Sequence, residues 1–187
     1  MPESLATEPG CAFYFDLASP LAYLAAESIL HVLPGPVEWQ PVLARELSRH
    51  GDSLDIASIE QRAHELGLQP LRLPVDFPFD SEHAMRVATY AKSIGRTVPF
   101  AQAAFRQAFV GGRSLAHTDN VLIAAAACEM HPTAVLKGAE LASVHEQLAA
   151  ATAQATEADV GNVPAIRIGS QVFEGEHALE HARAVAL

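Results

Sequence analysis

Cysteine is scarce: the 187 residues include only Cys11 and Cys128. Cys11 opens an aromatic stretch and Cys128 follows a run of alanines, so both read as buried free thiols acting as small hydrophobes. They support neither a disulfide framework nor a zinc site. No Cys-x-x-Cys pair is present, which argues against a dithiol redox centre. Basic residues are also few, 12 Lys and Arg against 22 Asp and Glu, for a net charge of −10. Nucleic acids and anionic membrane surfaces need clustered Lys and Arg, so neither is an expected partner. A small anionic ligand would need local donors that oppose this field. No apolar run approaches the length of a transmembrane helix. Residues 1–10 lack the basic and apolar regions of a signal peptide, so a cytoplasmic location is expected.

What is present is a hydrophobic content of 50%, enough for one domain with a substantial core, or one domain carrying a large insertion. Residues 12–17 alternate and carry aromatics, as a strand does. A helix is predicted over 20–33, stopped by Pro34-Gly35-Pro36, and a second strand over 37–42. That β-α-β opening predicts a parallel pair. From 44 to 159 the pattern is helical. A short turn is predicted at 45–50, helices at 56–68, 81–94, 99–110 and 120–129, a short turn at 133–137, and an alanine-rich helix at 139–155. Asp80 or Ser81 and Thr118 or Asp119 are the expected caps for two of these. Residues 165–174 then read as two strands joined by a Gly-Ser hairpin, with a helix from about 176 onward. The expectation is an α/β domain of β-α-β…β-β-α order from 11–43 and 160–187, interrupted by an all-helical insertion at 44–159. The insertion would roof the turn after the first strand.

That turn, Phe15-Asp16-Leu17-Ala18-Ser19-Pro20-Leu21-Ala22-Tyr23-Leu24, is the most informative stretch. Proline suits the first helical position, where its missing N–H would be unpaired anyway. Serine suits the N-cap. Ser19 therefore belongs at the positive end of a helix dipole, which favours an anion. Ser-Pro alone is an ordinary helix start. A second segment raises its meaning: Val163-Pro164-Ala165, a proline opening a strand, for which a cis bond is the usual reason.

With Phe77-Pro78 and Phe173-Glu174-Gly175, these motifs resemble those of 2-hydroxychromene-2-carboxylate isomerases and kappa-class glutathione transferases, within the DsbA-like thioredoxin superfamily. The resemblance covers nearly the whole chain. It implies glutathione as cofactor, with Ser19 hydrogen-bonding its sulfur at the Pro20 helix start. It also implies that Val163, before a cis Pro164, pairs through its backbone with the cysteinyl part. The implied reaction is cis–trans isomerisation of a small aromatic or conjugated carboxylate by reversible thiolate addition. A homodimer is expected by analogy.

The chain departs from that pattern at several places. Glu174 stands where the family often has Trp. Glu176 and His177 stand where an Asp receives the glutathione α-amino group, and of the two Glu176 carries the charge for it. Asp80 stands where Asn is usual. The loop after strand two lacks the family's Gly-Gly and Lys, leaving Arg45 or Arg49 to meet the glycyl carboxylate. Alternatives are a transferase on the same thiolate, a disulfide oxidoreductase relative without Cys-x-x-Cys, and a non-catalytic binding module. Other residues read more plainly. His177 and His181 share a helix face but lack a third metal ligand. His117 is a surface cap or a pocket residue, Tyr23 core or a pocket hydroxyl, and Arg72 and Arg86 surface cations or carboxylate binders.

Overall fold

The structure, a computed structural model, describes residues 10–51 and 54–186. The stretch 1–9, read above for a leader, lies outside them. Strand β1 is Cys11–Phe15, helix α1 is Pro20–Val32 and strand β2 is Val37–Pro41. A 3₁₀ turn at Ala44–Glu46 leads to α2, Ile56–Glu65. Then come α3 (Glu82–Ser93), α4 (Thr97–Phe109), α5 (Thr118–Ala126), α6 (Pro132–Ala139) and α7 (Ala142–Glu157). Strands β3 (Ala165–Ile168) and β4 (Gln171–Glu174) and helix α8 (Ala178–Ala186) close the chain. The sheet order is β2-β1-β3-β4. β1 and β2 pair in parallel with Phe13 opposite Trp39, while β3 runs antiparallel to both β1 and β4.

The order of elements follows the sequence reading, with local differences that have local causes. β1 stops at Phe15 because Asp16 turns the chain, its carbonyl accepting from the Ser19 amide at 3.0 Å. Residues 132–139 form a full helix rather than a short turn. Pro132 starts it, and the His131 ring accepts from the Thr133 amide. α7 consequently begins at Ala142, after the extended Leu141. At α5 the cap is His117 rather than Thr118 or Asp119, its carbonyl accepting from the Asn120 amide. α8 begins at Ala178, after Gly175 at φ +78 has turned the chain out of β4.

Alternation along β1 decides how the two parts join. Phe13 and Phe15 point to one face, where Trp39 lies edge-on to both and Phe105 of α4 meets Phe15 at 5.9 Å. Ala12 and Tyr14 point to the other, into a second buried cluster with Val160, Val163 and Ala155 of α7. The helical segment thus supplies core residues on both faces of the sheet.

Candidate functional site

Ser19 is the N-cap of α1, in extended conformation at φ −96 and ψ 112, with Pro20 at the first helical position. Its Oγ accepts from the Ala22 amide at 3.1 Å, which leaves the hydroxyl hydrogen to donate outward. The hydroxyl belongs to the wall of a cavity of about 630 Å³. That volume lies within the roughly 300–1,000 Å³ of ligand sites. The wall also holds Val163, whose bond to Pro164 is cis, and Phe77, whose bond to Pro78 is cis as well. Three distant pieces of chain that the motifs singled out therefore meet around one space.

Asp16 is the residue that sequence reasoning passed over. It is buried, 3% exposed, in the same wall. Oδ1 accepts from the Ala18 amide and Oδ2 from the Ala44 amide, both at 2.9 Å, and the Ser81 hydroxyl donates to it as well. One carboxylate thus ties the Ser19 turn to the loop after β2 and to the start of α3. Ser81 does not cap α3 with its side chain; Asp80 accepts from the Glu82 amide at 3.0 Å. A signal was available in the sequence: an acidic residue directly after an apolar strand, inside an otherwise apolar turn.

Burial drives the Asp16 carboxyl above its ordinary range, opposed by the Ala18 and Ala44 amides, the Ser81 hydroxyl and the field of His50. A raised folded pKa means that folding favours the neutral acid. This contribution to stability is full below the unfolded pKa and is lost as pH rises through the folded one. Asn at this position cannot ionise. The stability of wild type relative to Asp16→Asn is therefore expected to fall as pH is raised above about 4, the ordinary carboxyl range. Urea midpoints at several pH values check this; a relative stability that climbs with pH contradicts it.

Of the expected glutathione contacts, Ser19, Pro20, Val163 and Arg45 line this cavity. The Val163 amide is engaged by the Asn162 side-chain oxygen at 2.8 Å, so a ligand would have to replace that neighbour. Arg45 donates to Asp80 at 3.1 Å and to Glu82 at 2.5 Å. Arg49 is not in the wall. Its guanidinium donates to Glu174 at 3.0 Å and to the Asp159 carbonyl at 3.1 Å. Gly161 lies beneath it, where an added Cβ would come within 2.3 Å of the guanidinium carbon. Glu176 falls in a neighbouring hollow of about 260 Å³, with Leu21 and Gly175 common to both linings, and accepts from Ser58 at 3.0 Å. His177 lines neither space; its ring stands 6.2 Å from that of His181.

Glu174, which departs from the family pattern, has a definite place. Its carboxylate accepts from the Gly161 amide at 2.5 Å, the Asn162 amide at 3.3 Å and Arg49. It fixes the loop that leads into Val163. Glu174→Ala strips the carboxylate partner from both amides and from Arg49, and is expected to cost about 1–3 kcal/mol. Chemical denaturation measures this; a change within about 0.5 kcal/mol would place Glu174 among ordinary surface residues.

The remaining candidates lie elsewhere. Tyr23 is core: 2% exposed, it packs on Phe105 and Phe109, and burial, then the Glu27 carboxylate, push its phenol up to about 12. His117 stands at the surface, 3.9 Å from Asp76. Arg86 meets Glu140 at 3.4 Å and His145 at 3.0 Å. Neither these residues nor Arg72 line the cavity. Burial raises the pKa of both Cys11 and Cys128, which keeps the thiols protonated. Sequence reasoning also missed His50, Leu54 and Phe79 in the wall. Among the described residues, no group of three or more His, Cys, Asp or Glu could hold a metal ion, and no helix is long and apolar enough to cross a membrane.

Solved structures of similar fold include a 2-hydroxychromene-2-carboxylate isomerase, at TM-score 0.83 and 17% identity over 94% of this chain and 93% of that one. A probable DsbA oxidoreductase from Streptomyces coelicolor aligns at TM-score 0.72 and 18% identity, covering 94% of this chain and 87% of its own. The cytosolic disulfide reductase DsbM from Pseudomonas aeruginosa, solved with GSH, aligns at TM-score 0.66 and 14% identity, covering 94% and 96%. No curated protein matches the chain in sequence. At these identities the neighbours speak for the fold. The family itself follows from residues 11–184, which match the DSBA-like thioredoxin domain: the chain belongs to that family, and its sequence holds no Cys-x-x-Cys pair.

Proposed function

We propose that this protein binds glutathione at Ser19 and acts as a glutathione-dependent cis–trans isomerase of a small conjugated compound. The observation that carries the reading is the Ser19 hydroxyl. Its oxygen is held by the Ala22 amide at 3.1 Å, and it belongs to a cavity whose wall also contains Val163 of the cis Val163–Pro164 peptide. When bound, glutathione would supply a thiolate that adds to a conjugated carbon, lets the former double bond rotate, and leaves with the same electron pair. The protein's residues hold and polarise. The Ser19 hydroxyl donates toward the sulfur, and the amino-terminal end of α1 adds positive potential at the same point. Arg45 exchanges Asp80 for the glycyl carboxylate. The Val163 amide turns from Asn162 to the cysteinyl backbone. Glu176, across Gly175 from the cavity, is the carboxylate offered to the α-amino group.

The GSH complex of a protein with this fold supports the cofactor. An isomerase of the same fold at TM-score 0.83 supports the reaction class. A transferase would use the same thiolate and differ in what leaves. The resemblance by itself makes the acceptor a small aromatic or conjugated carboxylate. The test is to titrate glutathione into the protein while following thiolate absorbance in the ultraviolet. Saturable binding with a lowered thiol pKa is the expected result. No binding at millimolar glutathione would leave a thioredoxin-like binding module.

A further inference from the structure

The charges in the cavity wall do not balance for two anionic ligands at once. Among the described residues, Arg45 is the one arginine or lysine that lines the space. It is already shared between Asp80 at 3.1 Å and Glu82 at 2.5 Å. Two carboxyl groups, Asp16 and Asp80, and the imidazole of His50 line the same wall. Arg49, the next guanidinium along the chain, is outside the wall and turned to Glu174 at 3.0 Å. The rest of the surface is largely apolar: Leu21, Leu54, Phe77, Pro78, Phe79 and Val163. The whole chain carries a net charge of −10, so the surrounding field gives no help to an anion.

On the glutathione reading above, the glycyl carboxylate needs a cation, and Arg45 is what the wall offers. A further carboxylate on the acceptor, beyond the two that glutathione itself carries, would then enter a partly desolvated space with no other guanidinium or ammonium facing it and with Asp16 and Asp80 nearby. Burying an unpaired charge beside like charges is unfavourable. An aromatic or aliphatic conjugated carbonyl compound without a charge meets only the apolar surface and the neutral donors. We infer that the acceptor of this protein is an uncharged conjugated carbonyl compound, an enone or aryl enone, and not the carboxylate that the family resemblance implies.

The test uses binding, so that it does not depend on turnover. S-methylglutathione, which has no free thiol, is first titrated into the wild-type protein by calorimetry. Benzylideneacetone and benzylidenepyruvate, which differ in carrying a methyl group or a carboxylate beside the carbonyl, are then titrated into the free protein and into the S-methylglutathione complex. Working at about pH 8 keeps imidazole charge out of the comparison. The expected result is that benzylideneacetone binds equally well in both states. Benzylidenepyruvate is expected to bind the complex at least about tenfold more weakly than it binds the free protein, because the peptide has taken Arg45. Binding of benzylidenepyruvate to the complex as tightly as benzylideneacetone overturns the inference and leaves the glutathione site standing. Failure of S-methylglutathione to bind in the first titration overturns the glutathione site, and this inference with it.

Discussion

On the proposed glutathione reading, replacing Ser19 with alanine is expected to raise the pKa of the bound thiol by about one to two units and to remove most of the isomerase activity at neutral pH. A hydrogen bond to a charged group contributes roughly 1.5–3 kcal/mol. At about 1.36 kcal/mol per pKa unit, losing it returns the thiol most of the way toward its ordinary range. The change is local. Ser19 Oγ also caps α1 through the Ala22 amide, and an N-cap serine replaced by alanine costs about 1 kcal/mol of stability. Thr at this position would keep both cap and donor, so Ser19→Thr separates the two effects. Thiolate absorbance against pH, measured in the presence of saturating glutathione, should show a curve displaced upward for Ser19→Ala and close to wild type for Ser19→Thr. A Ser19→Ala protein that holds the thiolate as wild type does would take Ser19 out of the site and leave only its role as a cap.

The sequence made the core of that site legible, because both halves are backbone features with strong local rules. A serine before proline at a helix start and a proline opening a strand are restricted conformations, and each was placed to within a residue or two. The parallel β1–β2 pair and the β3–β4 hairpin were equally plain, since their alternation and turns are short-range. The walls of the cavity were not. Asp16 shows its role only when Ala44 and Ser81 are seen to donate to it, across 28 residues of chain in the first case. Glu174 read as a departure from a pattern because its partners, Arg49, Gly161 and Asn162, are brought together by the fold alone. In sequence, Arg45 and Arg49 are equal candidates for the cation after strand two; in the fold only Arg45 of the two lines the cavity. That two carboxylates on the other side of an unpatterned loop already hold Arg45 is a fact of tertiary geometry. The helix boundaries at 131–142 were missed for a related reason: a helix as short as α6 gains little from its own propensity, and its packing on α3, α5 and α7 carries no local signature.

Phe105→Ala is expected to cost about 3–5 kcal/mol, the usual penalty for emptying a buried phenylalanine site. Against a total of about 5–15 kcal/mol for a domain, that is enough to leave the variant marginal. Phe105 is fully buried. Its ring lies 5.9 Å from Phe15 of β1, 6.3 Å from Tyr23 of α1 and 6.4 Å from Phe109. It is where α4, from the helical segment, closes over the sheet and α1 together. A cavity there is therefore felt on both sides of the boundary, and the two parts should lose stability in one step. The molecule carries its own reporter for this. Trp39, the single tryptophan, sits in β2 with Phe13 at 5.0 Å and Phe15 at 5.8 Å, so its fluorescence follows the sheet. Far-ultraviolet circular dichroism follows mainly the helices. In urea the two transitions of Phe105→Ala are expected to coincide and to shift together from the wild-type midpoint. A fluorescence transition that stayed near the wild-type midpoint while helicity was lost early would mean that the sheet folds without its helical roof. The Ser19 turn would then be held by β1 and β2 alone.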